Sequence, residues 1–137
     1  MTVLVDTSVW SFALRRKSRS NLPIDHLKHV RALENFINDA QVALLGVVRQ
    51  EILSGIKHHE QFIRLRNFLQ GFPDVPLDGA DFERAAEMSN ICRSHGIAGH
   101  STDFLVCSTA KSRGWTIYSL DRDFERYSNY LDLKLLN

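Results

Sequence analysis

Four carboxylates stand where the chain changes character. Asp6 directly follows the apolar run Thr2–Val5, and Asp121 closely follows a second such run, Trp115–Tyr118. Asp103 opens a helix-like stretch, and Glu51 lies on the helix expected after another short strand, with Gly55 four residues on. In open parallel sheets, functional groups gather where strands end and the chain turns into helices. These acids therefore have one edge on which to meet. Carboxylates crowded there repel and raise each other's pKa unless a cation compensates. Mg2+ is the natural answer, with Mn2+ able to substitute, because hard divalent ions choose carboxylate oxygens and water. Such a site activates water and stabilises charge building on a phosphate, and two ions about 3.5–4 Å apart would hold both attacking and leaving oxygens. Taken singly, each acid has a plainer role: a helix cap at Asp6 and Asp103, a solvated helix position at Glu51, an acidic turn at Asp121 to Asp123. The joint pattern is what points to metal chemistry.

The elements that must position these acids follow from hydrophobic period. Thr2–Val5 is β-branched and apolar, a buried strand, and Asp6-Thr7-Ser8 offers cap side chains for a short helix to Leu14. Leu27, Val30, Leu33, Phe36 and Ile37 recur at helical spacing between Ile24 and Asn38. A second strand is predicted over Val42–Leu45, broken by Gly46, with helices over 47–57 and 60–69. Val75-Pro76-Leu77 reads as a short edge strand, since proline cannot donate to a ladder. Asp78 or Asp81 can cap a helix to about His95, and a further helix spans Ser101 to Arg113. Trp115–Tyr118 is a fourth strand, 124–130 a short helix, and the alternation over Leu131–Leu136 suggests a last strand. Short strands separated by helices predict an α/β fold, three layers with a central, mostly parallel sheet of four to five strands flanked by helices. Residues 1–137 are expected to form one domain.

Composition is that of an ordinary globular chain, 44% hydrophobic and 24% charged. Net charge is only +1, so bulk charge does not announce a nucleic-acid partner. Arg15, Arg16, Lys17 and Arg19 nevertheless form a dense basic run just after the first acid, a solvated surface or a phosphate-contacting edge. Met1 to Val5 is too short, and too soon interrupted by Asp6, for a signal peptide. No apolar run approaches the ~20 residues that span a bilayer, so no membrane role is expected and the cytoplasm is the default location. Cys92 and Cys107 lack CxxC spacing and read as buried free thiols. His58-His59 point two ways on a helix and do not suggest a shared metal, whereas His100 stands three residues before Asp103, close enough to support it.

Four stretches carry a resemblance. Val3-Leu4-Val5-Asp6-Thr7-Ser8-Val9-Trp10 resembles the opening strand and metal aspartate of PIN-domain nucleases. Val47-Val48-Arg49-Gln50-Glu51-Ile52-Leu53-Ser54-Gly55 resembles their second motif, a glutamate followed by glycine four residues on. Asp103-Phe104-Leu105-Val106-Cys107-Ser108-Thr109-Ala110 is similar to the third, with Cys107 where the family often has alanine. Ser119-Leu120-Asp121-Arg122-Asp123-Phe124-Glu125 is similar to the fourth, and Asp121 matches its acid best. Order, spacing and length together resemble the VapC branch, the toxin halves of bacterial toxin–antitoxin pairs. The resemblance implies the PIN-like three-layer fold and magnesium-dependent cleavage of structured RNA such as tRNA or rRNA loops. It also implies neutralisation by a cognate antitoxin, a homodimer, and a toxin–antitoxin hetero-oligomer. Asp6, Glu51, Asp103 and Asp121 become the metal-holding catalytic set. Thr7, Ser8 and Asp123 become supports around it, and Arg15, Arg16, Lys17 and Arg19 candidate RNA contacts.

The alternative reading is a catalytically inactive PIN-fold binding module, against which all four acids survive. Two other phosphate chemistries fit less well. A haloacid-dehalogenase-like phosphatase needs an aspartate two residues after its nucleophile, where Ser8 stands, and a response-regulator receiver wants an acid pair where Asp6 stands alone.

Overall fold

The structure is a computed structural model that describes residues 1–14 and 23–136. The basic run at 15–19 lies outside the described residues. Strand β1 (Val3–Val5) is followed by helices α1 (Thr7–Leu14) and α2 (Ile24–Asn38), then by β2 (Val42–Ala43) and helices α3 (Gly46–Leu53), α4 (His59–Leu69), α5 (Gly79–Ser94) and α6 (Ser101–Arg113). Strand β3 (Thr116–Tyr118) and helix α7 (Asp123–Tyr127) complete the order. No helix among the described residues is long and apolar enough to cross a membrane.

The sheet order is β2-β1-β3, with every pairing parallel. All three residues of β1 are 0% exposed, although successive side chains point to opposite faces. Both faces of the sheet are therefore covered, the condition under which a strand reads as a continuous rather than alternating apolar run. Val3 pairs with Val42 on one side and Thr116 on the other, and Val5 with Tyr118. Because the strands run in one direction, their carboxyl ends arrive together. Asp6, the Leu44–Leu45 approach to α3, and Ser119 thus share one edge of the molecule.

The expected four to five strands are three. Val75–Leu77 contributes no strand, and only a single parallel bridge, Asp74 to Leu44, marks that edge. Pro76 has no N–H to extend the ladder, and its carbonyl accepts instead from Arg113 Nη2 at 2.9 Å. The Leu131–Leu136 segment likewise makes one bridge, Leu135 to Ile117. Pairing stops at the two bonds around Ile117, and the alternation otherwise follows burial: Leu131 is buried, and Leu133 and Leu135 pack partly buried against the core.

Helix boundaries show similar local reasons. Helix α3 was expected to reach residue 57 but ends at Leu53, and Gly55 takes a left-handed backbone (φ 82°) beyond it. Gly55 is thus a turn residue and does not sit on the face of α3. Helix α5 begins with a capping box: Asp78 accepts from the Asp81 N–H at 3.2 Å, and Asp81 accepts from the Asp78 N–H at 3.1 Å. Helix α6 spans the predicted residues and closes on Gly114 in the left-handed region. Its cap position is His100, which places Asp103 in the first turn rather than at the cap. Cys92 and Cys107 are buried and unbridged.

Candidate metal centre

Asp6 is placed by the end of β1. Its N–H donates to the Tyr118 carbonyl at 2.9 Å, continuing the β1–β3 ladder, while its carbonyl starts α1 by accepting from Val9 and Trp10. The side chain is 5% exposed. Three donors converge on Oδ2: Ser119 Oγ at 2.8 Å, Ser8 Oγ at 2.8 Å and the Ser8 N–H at 3.4 Å. Capping the helix and holding a polar site are therefore compatible uses of one carboxylate. Ser8 Oγ also accepts from the Leu120 N–H at 2.9 Å, and Ser119 Oγ from the Asp121 N–H at 3.0 Å. These two hydroxyls tie the loop after β3, and hence Asp121, to Asp6.

Asp103 comes from the first turn of α6, where the helix N-terminus favours negative charge. It is 8% exposed, and Tyr127 donates its hydroxyl to Oδ2 at 2.7 Å. Burial pushes the Asp103 carboxyl up to about 6, helped by the negative Asp6 and Asp121; Tyr127 and the nearby His100 pull the other way. Asp121 Oδ1 accepts from the Asp123 N–H at 2.9 Å as α7 begins. Asp103, Asp121 and Asp123 each offer a carboxylate oxygen, and these atoms lie within 4.8 Å of one another. Asp123 thus joins the cluster on the same footing as Asp121, with Arg126 3.6 Å away.

Glu51 stands somewhat apart. It is exposed on α3, where Thr7 donates to its Oε1 at 2.7 Å. That bond links α3 to the residue after Asp6 and spends the Thr7 hydroxyl on positioning Glu51. Beside the pair opens a depression of about 440 Å3, lined by Thr7, Ser11, Gln50, Glu51 and Thr102. Asp6 and Glu51 are not part of the closest trio, although Asp6 lies near enough to act electrostatically on Asp103.

Among the described residues, no lysine or arginine pairs with Asp6, Glu51, Asp103 or Asp121. The donor set is all hard oxygen, negatively charged and closely spaced, which fits a magnesium- or manganese-sized ion. Two contributors escaped the sequence reading. Tyr127 carries no motif, and only its position four residues after Asp123, on the inward face of α7, hints at its contact. Ser119 was visible as the hydroxyl of the fourth stretch, but its bond to Asp6 spans 113 residues and needs the parallel pairing of β1 and β3.

A parallel α/β sheet with an acid cluster at its carboxyl edge defines the class of protein. The PIN domain model matches residues 3–130, and the chain belongs to that family. It is 26% identical over 134 residues to the VapC ribonuclease Mb1587 of Mycobacterium bovis and to ribonuclease VapC11 of Mycobacterium tuberculosis, covering 96% of this chain and of each relative. Among solved structures, FitAcB from Neisseria gonorrhoeae aligns with a TM-score of 0.75 at 20% identity, covering 99% of this chain and 97% of that one. VapBC2 from Rickettsia felis, bound to a DNA fragment from their promoter, aligns with a TM-score of 0.75 at 19% identity, covering 100% and 98%. These likenesses confirm the α/β fold.

Proposed function

We propose that this chain is a magnesium-dependent endoribonuclease toxin that cleaves structured RNA, with tRNA or rRNA loops as the substrate class. One observation carries the metal requirement: Asp103 is buried among other acids with no lysine or arginine paired to it among the described residues, an arrangement that a divalent cation would relieve. The similarity to VapC ribonucleases along 96% of the chain supports RNA as the polymer.

In this reading Asp103, Asp121 and Asp6 hold the ion, Asp123 assists, and Glu51 completes the acid set across the depression. A divalent ion held there would supply Lewis-acid chemistry toward the scissile phosphate and the attacking water. The chain's own residues do the positioning. Ser8 and Ser119 hold Asp6 Oδ2, Thr7 holds Glu51, and the depression beside Glu51 has room for a sugar–phosphate unit. The basic run at Arg15, Arg16, Lys17 and Arg19 contacts flanking phosphates, a contribution that weakens with salt. VapBC structures of similar fold from Rickettsia felis and Haemophilus influenzae support a cognate antitoxin partner. On this reading the toxin is cytoplasmic and forms a homodimer inside a larger toxin–antitoxin hetero-oligomer.

The test is cleavage of total tRNA and rRNA by the purified chain with Mg2+, with Mn2+ and with EDTA, alongside Asp6→Asn and Asp103→Asn. Cleavage with either ion, absent in EDTA and reduced at least about a hundredfold in both variants, is the expected result. A folded chain that cuts no RNA with either ion would favour the inactive binding module instead.

A further inference from the structure

Asp103 is reached by one side chain from another element, and the surroundings of that side chain are unusually restrictive. Tyr127, at the end of α7, is 1% exposed. Its ring lies against Phe104 (centroids 4.9 Å apart) and edge-on to Phe124 (5.5 Å), both also 1% exposed, so it has no room to swing away. Its hydroxyl passes below Gly99, in the turn before α6. A Cβ at position 99 would lie 2.5 Å from the Tyr127 oxygen and 2.7–2.8 Å from the Phe104 ring. Gly99 is not among the glycines with positive φ, so clearance rather than backbone freedom selects glycine here.

Phenylalanine would fill the same space between Phe104 and Phe124. What tyrosine adds is the 2.7 Å bond to Asp103 Oδ2. Among the described residues the other oxygen, Oδ1, accepts no hydrogen bond. The bond also crosses between elements: α6 carries Asp103, while α7 carries Asp123 and directly follows Asp121. We propose that Tyr127, seated in the slot that Gly99 leaves open, is a positioning residue that turns Asp103 toward the divalent ion and sets its spacing from Asp121 and Asp123. Partners that hold a metal ligand in orientation commonly matter to affinity nearly as much as the ligand itself.

This inference rests on the metal-nuclease reading. Its test is titration with Mn2+, reading the free ion by electron paramagnetic resonance, on the unaltered chain, Tyr127→Phe, Gly99→Ala and the double variant, with circular dichroism to confirm folding. Tyr127→Phe is expected to weaken Mn2+ binding about tenfold. Gly99→Ala should weaken it at least comparably, since its Cβ would press on the Phe104 ring as well, and the double variant should lose less than the two single losses combined, because part of both is the same bond. Saturating Mn2+ should restore most of the cleavage rate of Tyr127→Phe, a rescue that a merely structural loss would not show. Unchanged Mn2+ affinity in folded Tyr127→Phe overturns the inference and leaves the nuclease reading standing. An unaltered chain that binds no Mn2+ and cuts no RNA overturns both.

Discussion

Asp81 and Asp103 are both nearly excluded from water, and their different partners separate structure from chemistry at the level of single residues. Asp81, 3% exposed, receives Arg113 at 2.9 and 3.1 Å and Arg84 at 3.4 Å, and these cations hold its carboxyl well below the usual range. Asp103 has no arginine, and burial, with Asp6 and Asp121 adding to it, pushes its carboxyl up to about 6 against the opposing Tyr127 bond. The sign of the linkage follows. Between pH 4 and 6 the folded state binds the Asp103 proton more tightly than the unfolded chain, so this residue's contribution falls as pH rises through that window and stays unfavourable above it. The rise from the ordinary carboxylate value to about 6 sets this cost at about 2–3 kcal/mol at neutral pH. Asp103→Asn, in EDTA at pH 7.5, is therefore expected to be more stable than the unaltered chain by about that amount while losing cleavage. The gain should shrink to about 0.5 kcal/mol near pH 4, where the folded carboxyl is protonated and the unfolded one is about half protonated. Urea titrations at the two pH values check it.

At the scale of elements, Asp81 joins pieces that no local pattern connects. It closes the capping box of α5, pairs with Arg113 at the end of α6, and its carbonyl accepts from Ser108 Oγ at 2.7 Å. Arg113 in turn reaches the Pro76 carbonyl, so the lost edge strand and the α5–α6 pair share one anchor. Asp81→Ala should cost about 3 kcal/mol, since it leaves two arginines facing a partly buried void and removes a cap bond. Its stabilisation is fully present above about pH 4 and is lost as pH falls through the depressed native value, so the difference between variant and parent narrows in acid. Thermal melts at pH 7 and pH 3 read both effects. A helix start near Asp78 or Asp81 was legible from residue type. The arginine partners were not, because Arg113 lies 32 residues away and only helix packing brings it back.

For the molecule as a whole, the acid edge is a destabilising feature that a bound cation would offset. Any ion that binds the folded chain and not the unfolded one raises stability by mass action, about 2.7 kcal/mol at a hundredfold excess over Kd. Mg2+ or Mn2+ should therefore raise the melting temperature at pH 7.5, by several degrees at saturation, and EDTA should reverse the rise. The same rise should be absent in Asp103→Asn and much reduced at pH 5, where protons compete for Asp103. A melting temperature indifferent to either ion at pH 7.5 would remove the physical basis for placing a metal at this edge.

The chain's residue types alone determined a good deal. Apolar β-branched runs with an aspartate at or shortly after their end marked β1 and β3, helical period marked α2 and α4, and the four quoted stretches pointed to the PIN family, because these signals are local and repeat within a few residues. Strand number was misread at Pro76 and at Leu131–Leu136, where burial alone can leave a strand's pattern in the sequence while pairing stops after a single bridge. Tertiary structure alone decided which acids come within 4.8 Å, that Asp123 stands with Asp103 and Asp121, and that Tyr127 fits beneath Gly99. Those outcomes depend on the parallel register of β1 and β3 and on how α7 packs against α6. Both are long-range arrangements, fixed by the shape of the core rather than by neighbours along the chain.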